Sequence, residues 1–238
     1  MTVSLWSGPR NCSTALMYSF AQRPDFGVVD EPLFAHFLQK TGAERPSRAE
    51  VLAAMPTERA EILPTLKRDS AHVFLKHMAN HIEGWPEPRD FATHKHVLLT
   101  RHPRKVLKSY RARIESPIAL DLCYHHQKAW LEHCEVEGWP VAVLDSDRLV
   151  AAPAPSLRAL MDWLGLAFDP GMLTWPAGPR QEDGPWAKYW YHRVHASTGW
   201  EKTTATDMDS LPPVEERFLP LVAETEPLYE LLRARALN

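Results

Sequence analysis

A short loop near the start of the chain carries residue types that suit the binding of a tetrahedral anion. Its residues are, in order, Gly8, Pro9, Arg10, Asn11, Cys12, Ser13 and Thr14. A guanidinium, two hydroxyls and the free N–H groups of a following helix start together suit phosphate or sulfate. The alternative is a plain capped turn, in which Ser13 or Thr14 is the N-cap. The pattern GxxxxGK[ST] is not met, because the loop has neither a lysine nor a second glycine, and this disfavours an ordinary ATP or GTP site.

A second basic segment, LLTRHPRKVLKSYRARI, carries a further candidate anion site. It places Arg101 at the end of a predicted strand and Ser109 two turns into the next helix, which Pro103 opens. The alternative is a solvated basic helix face, which is the usual meaning of such a run. If both segments follow strands of one sheet, their anion sites share an edge. Two such sites suggest a nucleotide that is phosphorylated at both ends.

The elements that must position these residues are short apolar runs that alternate with helical patterns. The runs are TVSLWS, FGVVD, AHVFLKHM, HKHVLLT and WPVAVLD. This alternation predicts an α/β fold with an open, mostly parallel five-stranded sheet flanked by helices. We expect a single domain over residues 1–238. Ligands of such sheets bind beyond the carboxyl ends of the strands, where the candidate residues lie.

The segments between and after the strands differ in character. Residues 35–70 are charged and predict a helical excursion, and residues 116–136 predict a helix. The spacing of SLRALMDWLGL predicts another helix that stops at Gly165. Residues 167–213 are rich in Trp and Pro and predict long functional loops, and a last helix is expected over residues 214–237.

The composition argues against several classes of protein. The 238 residues have a formal net charge of -3, which disfavours a nucleic-acid partner, and nine Trp indicate a packed core. No apolar run approaches the ~18 residues of a membrane span, and no signal peptide follows Met1. Cys12, Cys123 and Cys134 cannot all pair and lack CxxC spacing, so reduced thiols are expected. We therefore expect a cytoplasmic protein with no membrane partner.

Three segments together resemble the sulfotransferase family, which uses 3'-phosphoadenosine 5'-phosphosulfate. The string PRNCST resembles its 5'-phosphosulfate loop, usually PKSGTT-like, with Arg10 in place of Lys and Cys12 in place of Gly. Arg101 and Ser109 match the Arg and Ser that hold the 3'-phosphate in that family. VLDSDRLVAAPAPSLRALMDWLGLAFD is similar to the strand, loop and LGL-ending helix of the same family. The resemblance implies a P-loop type nucleotide-binding fold.

The string HASTGWEK, residues 195–202, is the candidate for the adenosine side of the donor site. It would place Ser197, Thr198 and Gly199 near the nucleotide, and a simple surface loop is the alternative reading. The resemblance implies the donor as co-substrate and no metal.

The resemblance also implies transfer of a sulfuryl group to a hydroxyl, or an amine, of a small-molecule acceptor. Arg10 would stabilise the leaving bisphosphate. Glu31 is the expected base, because carbohydrate and tyrosine sulfotransferases have a similarly placed Glu, and Asp30 is the near alternative. A purely structural reading has both carboxylates capping the next helix. His77 is the second candidate base, since Lys76-His77 resembles, one position out of register, the Lys-x-His of small-phenol sulfotransferases.

Two other functions stay open on the sequence. A P-loop kinase or nucleotide hydrolase would use Asp145, at the end of VAVLD, to hold magnesium. A non-catalytic nucleotide-binding protein would keep the fold without the reaction. The aromatic residues between 175 and 200 could bind an acceptor or fill a core.

Overall fold

A parallel sheet forms the centre of the molecule in a computed structural model that describes residues 1–200 and 211–237. Its strands are β1 Thr2–Ser7, β2 Phe26–Asp30, β3 His72–Met78, β4 Lys95–Thr100 and β5 Val141–Asp145. Their order is β2-β3-β1-β4-β5, and every neighbouring pair is parallel. The predicted five-stranded open sheet is therefore confirmed, and the carboxyl ends of its strands meet at one edge.

Helices cover both faces of this sheet. They are α1 Ser13–Phe20, α2 Phe34–Thr41, α3 Arg48–Ala54, α4 Arg59–Thr65, α5 Pro103–Tyr110, α6 Ala119–Leu122, α7 Tyr124–Glu137, α8 Ser146–Ala151, α9 Pro153–Leu164, α10 Ala187–Trp190, α11 His192–Ala196 and α12 Leu219–Arg233. Short 3-10 turns lie at Ala79–Ile82, Pro88–Phe91, Pro170–Leu173 and Glu216–Phe218. Across residues 1–200 and 211–237, none of the helices has the length and apolar character that crossing a membrane requires.

The apolar strands are buried on both faces because successive side chains point to opposite sides. Trp6 of β1 packs on one side with residues of α7 and α12. Its neighbour Leu5 packs on the other side with residues of α1 and α9. The two cores fix the sheet in place, and the loops at its carboxyl edge are left to form a site.

Local signals in the sequence set several helix ends. Pro103 is the first residue of α5, and the ring of His102 accepts a hydrogen bond from the Arg104 N–H at 3.3 Å. Gly165 ends α9 with φ 76°, as its position predicts. The helix expected over residues 116–136 is divided into α6 and α7, because buried Cys123 takes a left-handed conformation with φ 70°.

Two segments outside the sheet meet above its carboxyl edge. The predicted excursion is helical and consists of α2, α3 and α4. The later segment, residues 176–200, contains α10 and α11 and packs against the excursion. The shared apolar cluster includes Phe34, Phe37, Leu38, Trp186 and Tyr191. These two segments form a roof over the ends of the central strands.

Candidate functional site

A cavity of about 410 Å³ lies between this roof and the carboxyl edge of the sheet. Its walls come from the anion loop, the ends of β2 and β3, helix α5 and residues 175–200. Polar lining residues include Arg10, Ser13, Thr14, Glu31, Arg45, Lys76, Asn80, His81, Arg101, Ser109, Asp121 and Arg193. Aromatic lining residues include Phe34, Tyr110, Trp175, Trp186, Trp190, Tyr191 and Trp200. The two predicted anion sites and the predicted base Glu31 therefore share one cavity.

The anion loop has a backbone shape that suits anions. Arg10 and Cys12 both take left-handed conformations, with φ 61° and 62°. Left-handed residues in a turn aim successive N–H groups into one concavity, which binds anions. Cys12 is the N-cap of α1, and no side chain caps the helix there. The N–H groups at the start of α1 therefore lack the capping partner that the plain-turn reading requires.

Two predicted binding residues of the loop shape it instead of lining the cavity. The side chain of Asn11 is buried and donates to the Leu99 carbonyl at 2.8 Å. The Asn11 carbonyl accepts from the Ser146 hydroxyl at 2.8 Å. Gly8 allows this packing, because a Cβ there would lie 2.9 Å from the Asn11 Nδ2. Neither residue lines the cavity, so the prediction that Gly8 and Asn11 contact the donor is wrong, and they help to fasten the loop to the sheet.

Arg101, predicted to belong to the second anion site, lines the same cavity. Its Nε donates to Asp147 at 3.1 Å, and its terminal nitrogen donates to the Arg10 carbonyl at 2.8 Å. The Arg10 Nε donates to the Ser109 hydroxyl at 2.9 Å, so the two sites are directly joined. Burial, together with the charges of Arg193 and Arg101, lowers the pKa of Arg10. An anion in this cavity would relieve that repulsion.

A buried charged cluster lies at the ends of β2 and β3. The Lys76 Nζ donates to Asp30 at 2.7 Å, to Glu31 at 2.5 Å and to the Tyr191 hydroxyl at 2.8 Å. The Tyr191 hydroxyl donates to the second oxygen of Asp30 at 2.7 Å and accepts from the Trp186 indole at 2.9 Å. Glu31 has φ 44°, an uncommon conformation for a residue with a side chain, and lines the cavity.

The protonation of this cluster follows from its burial and charges. Burial raises the pKa of Glu31 to about 7, Lys76 opposes this rise, and the nearby Asp30 charge adds to it. Burial disfavours the charge on Lys76, but the two carboxylates outweigh burial and raise the Lys76 pKa. A carboxyl whose pKa is raised toward neutral pH in this way suits a general base.

His77, the second candidate base, does not reach the cavity, so this prediction is wrong. Side chains alternate along β3, and His77 points away from Lys76 into the core. Its ring is fully buried and stacks on Trp6 with centroids 4.3 Å apart, and neither nitrogen has a hydrogen-bond partner among the described residues. Burial holds the His77 pKa well below its usual value. The histidine that does line the cavity is His81, whose Nδ1 lies 3.9 Å from Glu31.

The candidate adenosine segment reaches the cavity only in part. Ser197 and Gly199 line it, whereas Thr198 does not, and its carbonyl accepts from the Trp175 N–H at 3.1 Å. A Cβ on Gly199 would lie 2.6 Å from the Leu173 carbonyl oxygen, so this close approach requires glycine. The prediction for Thr198 is therefore wrong. The last two residues of HASTGWEK, 201 and 202, lie outside the described residues.

Several lining residues carried no clear signal in the sequence. Arg193 follows no strand and belongs to no recognised pattern, yet it faces the cavity because residues 175–200 fold back over the sheet. Tyr191 stood out only as one of many aromatics. The sequence places Lys76 at the end of a predicted strand, but it does not show which carboxylates Lys76 contacts. Those contacts depend on the register of β2 against β3, in which Asp30 lies opposite Lys76.

Asp145, the candidate magnesium ligand of the kinase reading, has a structural place. Its carboxylate accepts from the Arg148 N–H at 2.9 Å and so caps α8. Its other oxygen accepts from the buried Tyr229 hydroxyl at 2.9 Å. Asp145 is not among the residues that line the cavity. Asp145 is therefore not placed to hold a metal ion in this cavity, as the kinase reading requires.

Comparison with known proteins adds a family and a fold. The sulfotransferase domain family matches residues 1–236. Branched-chain-amino-acid aminotransferase-like proteins 1 and 2 of Arabidopsis thaliana are 38% and 35% identical to this chain and align with 96% and 97% of it. The alignments cover 41% of each relative, so the chain spans about two fifths of their length.

Two solved structures have the same fold. The sulfotransferase domain of the Synechococcus PCC 7002 olefin synthase has a TM-score of 0.59 at 19% identity, over 94% of this chain and 93% of that one. The sulfotransferase domain of the curacin biosynthetic pathway has a TM-score of 0.57 at 15% identity, over 93% of this chain and 96% of that one. At such identities the likeness concerns the fold, whereas the family match spans nearly every residue, and by that match the chain belongs to the sulfotransferase domain family.

Proposed function

We propose that this protein transfers a sulfuryl group from 3'-phosphoadenosine 5'-phosphosulfate to a hydroxyl, or an amine, of a small molecule. The observation that carries the proposal is the shared cavity. It joins a loop suited to a 5'-phosphosulfate, an Arg–Ser pair suited to a 3'-phosphate, and a buried carboxylate with a pKa of about 7. Each of these parts has a use in sulfuryl transfer, and the family match supports the combination.

The residues present fit the donor by their chemistry. Arg10, Ser13, Thr14 and the first N–H groups of α1 would hold the 5'-phosphosulfate. Arg101 and Ser109 would hold the 3'-phosphate, and Trp175, Trp200, Ser197 and Gly199 line the part of the cavity left for the nucleoside. Trp175 and Trp200 pack edge to face with centroids 5.6 Å apart, and both rings line the cavity.

The chain's own residues would divide the chemical work. When bound, the donor supplies a sulfuryl group whose sulfur–oxygen bond to the 5'-phosphate breaks as the acceptor oxygen bonds to sulfur. Glu31 takes the proton from the acceptor O–H, and Lys76 holds the Glu31 carboxylate in place at 2.5 Å. The positive charge of Arg10 and the N–H groups of α1 stabilise the electron pair that leaves with the phosphate.

The acceptor would occupy the part of the cavity beside the excursion. Phe34, Tyr110 and Trp186 give this part apolar walls, and Asn80 and Arg45 give it polar ones. The Asn80 Oδ1 is buried and has no hydrogen-bond partner among the described residues. A buried oxygen without a hydrogen bond costs free energy, so a substrate that carries an N–H or O–H group fits beside the Asn80 Oδ1.

A thermal-shift measurement tests the donor site. Adenosine 3',5'-bisphosphate should raise the melting temperature well above the shift given by adenosine 5'-phosphate. The 3'-phosphate contacts of Arg101 and Ser109 are charge-assisted and worth about 1.5–3 kcal/mol each, which corresponds to at least ~100-fold in affinity. Equal shifts from the two ligands would contradict the assignment of these residues.

Matched variants test the same assignment. Arg101→Ala should weaken bisphosphate binding by about 10- to 100-fold. Arg111→Ala is the control, since Arg111 also belongs to the basic segment but pairs with Glu215 and does not line the cavity. Transfer of radiolabelled sulfate from the donor to a pool of small metabolites then tests the reaction. Binding of the bisphosphate without any transfer would favour the non-catalytic alternative.

A further inference from the structure

A second buried carboxylate, Asp30, has no direct use in the proposed reaction. Both of its oxygens are engaged: Oδ1 accepts from Lys76 at 2.7 Å, and Oδ2 accepts from the Tyr191 hydroxyl at 2.7 Å. The backbone N–H of Gly184 also points at Oδ2, at 3.5 Å. Asp30 does not line the cavity, whereas Glu31 does. An acceptor molecule therefore meets only one of the two carboxylates.

The two carboxylates share a single cation. Lys76 lies within hydrogen-bond distance of both, and its side chain is 1% exposed. With one ammonium and two carboxylates, the cluster has a surplus negative charge in a site that water hardly reaches. Such a surplus is removed most easily by one proton. The proton goes to Glu31, because each oxygen of Asp30 accepts a short hydrogen bond, one from Lys76 and one from the Tyr191 hydroxyl, whereas among the described residues the Glu31 Oε2 faces His81 at 3.9 Å.

Other groups around Glu31 do not cancel the surplus. Burial and the Lys76 charge hold the pKa of His81 well below its usual value, so its ring is neutral. Arg45 is already paired with Asp121. The titratable or charged groups that face Glu31 from the packed elements are Asp30 of β2, Lys76 of β3, His81 of the turn at Ala79–Ile82, Tyr191 between α10 and α11, Tyr110 of α5, Cys123 between α6 and α7, and Arg45 between α2 and α3.

We infer that Asp30 is a positioning residue that shares the charge of Lys76, so that Glu31 is only partly neutralised, can take up a proton and serves as the base. The role of Glu31 as the base rests on the proposed function, whereas the effect of Asp30 on the proton affinity of Glu31 does not depend on it. If the Asp30 charge were absent, the remaining ammonium of Lys76 and carboxylate of Glu31 would form a neutral pair, and Glu31 would bind a proton only weakly. Tyr191 supports Asp30 from the roof, so that the tuning of Glu31 also depends on residues 176–200.

The Asp30→Asn variant tests this directly, by ¹³C NMR titration of the Glu side-chain carboxyl carbons. The Glu31 signal is assigned by its loss in Glu31→Gln. The neighbouring Asp30 charge raises the Glu31 pKa by repulsion, and a nearby charge shifts a carboxyl pKa by about 1–3 units, so the Glu31 pKa should fall by that amount in Asp30→Asn. The amide is isosteric and leaves Lys76 paired with Glu31, so the fold is retained.

Asp145→Asn is the matched control. Asp145 is also a buried carboxylate at the end of a strand and also accepts from a tyrosine hydroxyl, at 2.9 Å, but no lysine or glutamate joins it. It should leave the Glu31 pKa unchanged. A Glu31 pKa that stays at its parent value in Asp30→Asn, or that moves equally in both variants, overturns the inference.

Variants that act in the opposite direction complete the test. Lys76→Met should raise the Glu31 pKa, because the attraction of the ammonium is lost. If that variant does not fold, Lys76→Gln keeps a hydrogen-bond donor beside both carboxylates and should still raise the Glu31 pKa, since the ammonium charge is lost. The same direction of shift in Asp30→Asn and in either of these variants would contradict the inference.

The titration does not need turnover, so the two proposals can fail separately. Opposite shifts without any sulfuryl transfer would leave the tuning by Asp30 in place and refute the function. Where transfer is found, the acid limb of kcat/KM should move to lower pH in Asp30→Asn and stay in place in Asp145→Asn. Transfer with an acid limb that does not move in Asp30→Asn would leave the function in place and overturn the inference.

Discussion

Replacing the buried His77 by phenylalanine should make the protein less sensitive to acid. The imidazole is fully buried and unpartnered, and burial keeps its pKa well below the ordinary 6.5. The unfolded chain therefore binds a proton near pH 6.5 that the folded chain does not bind. Because the unfolded state binds more protons, the free energy of unfolding falls as pH falls below 6.5.

The size of the effect follows from the unperturbed pKa alone. At pH 5.5 an unfolded imidazole with a pKa of 6.5 is protonated about ten to one, and this stabilises the unfolded state by about 1.4 kcal/mol. Burial also lowers the pKa of His94 to about 4 and of His96 to about 3, so each of these adds a similar loss in the parent protein. His77→Phe removes one such contribution and keeps an aromatic ring against Trp6.

The assay is urea unfolding at pH 8 and at pH 5.5, for the parent, His77→Phe and a control. The loss of unfolding free energy between the two pH values should be about 1.4 kcal/mol smaller in His77→Phe than in the parent. Contributions of carboxylates cancel in this comparison. At pH 8 the larger ring should cost no more than about 3 kcal/mol. His125→Phe is the control, since His125 is 51% exposed.

Two results would refute this reasoning. The first is an unchanged pH dependence in His77→Phe, which would show that His77 takes a proton in the folded state. The second is loss of sulfuryl transfer in a folded His77→Phe variant, which would make His77 the base after all. We expect transfer to be kept, because His77 lies on the face of β3 away from the cavity.

Glu31→Gln should leave bisphosphate binding near normal and slow transfer by about 100- to 10,000-fold, with loss of the acid limb of kcat/KM; an unchanged rate would exclude Glu31 as the base. Of the three cysteines, only Cys12 should react quickly with a thiol reagent such as 5,5'-dithiobis(2-nitrobenzoic acid), because Cys123 and Cys134 are buried and burial raises the pKa of each to about 12. Adenosine 3',5'-bisphosphate should slow that reaction, since Cys12 lines the cavity, and a lack of protection would place the donor elsewhere. Transfer should survive EDTA, because Arg10 and the start of α1 supply the positive charge; recovery of lost activity by magnesium would instead favour the kinase reading.

The parts of the fold that follow from local signals could be predicted from the sequence. The five strands are continuous apolar runs, and Pro103 and Gly165 mark helix ends by their own backbone preferences. The break at Cys123 could not be predicted, because no local preference puts a cysteine in a left-handed conformation. Its cause is tertiary: the thiol is fully buried between α6 and α7.

The residues of the candidate site also fall into those that the sequence could predict and those that it could not. Residues that follow strands closely, such as Arg10, Glu31 and Arg101, lie at the cavity because the ends of parallel strands share an edge. The prediction of His77 as a base was wrong because a shift of one residue along a strand moves a side chain to the opposite face of the sheet, and the sequence alone did not fix the register of β3. Tyr191 and Arg193 could not be assigned, since their place depends on the path of residues 176–200 across the roof.

The hydroxyl of Tyr191 joins parts of the chain that are far apart. It contacts Asp30, 161 residues earlier, and Lys76, 115 residues earlier. Its segment contributes no strand to the sheet, so the ladder hydrogen bonds of β1 to β5 do not hold it in place. Opening of this segment alone would remove the Tyr191 hydroxyl, the Trp186 indole and the Arg193 charge, and leave the sheet intact. Such an opening would take apart one wall of the cavity without breaking a ladder hydrogen bond of the sheet.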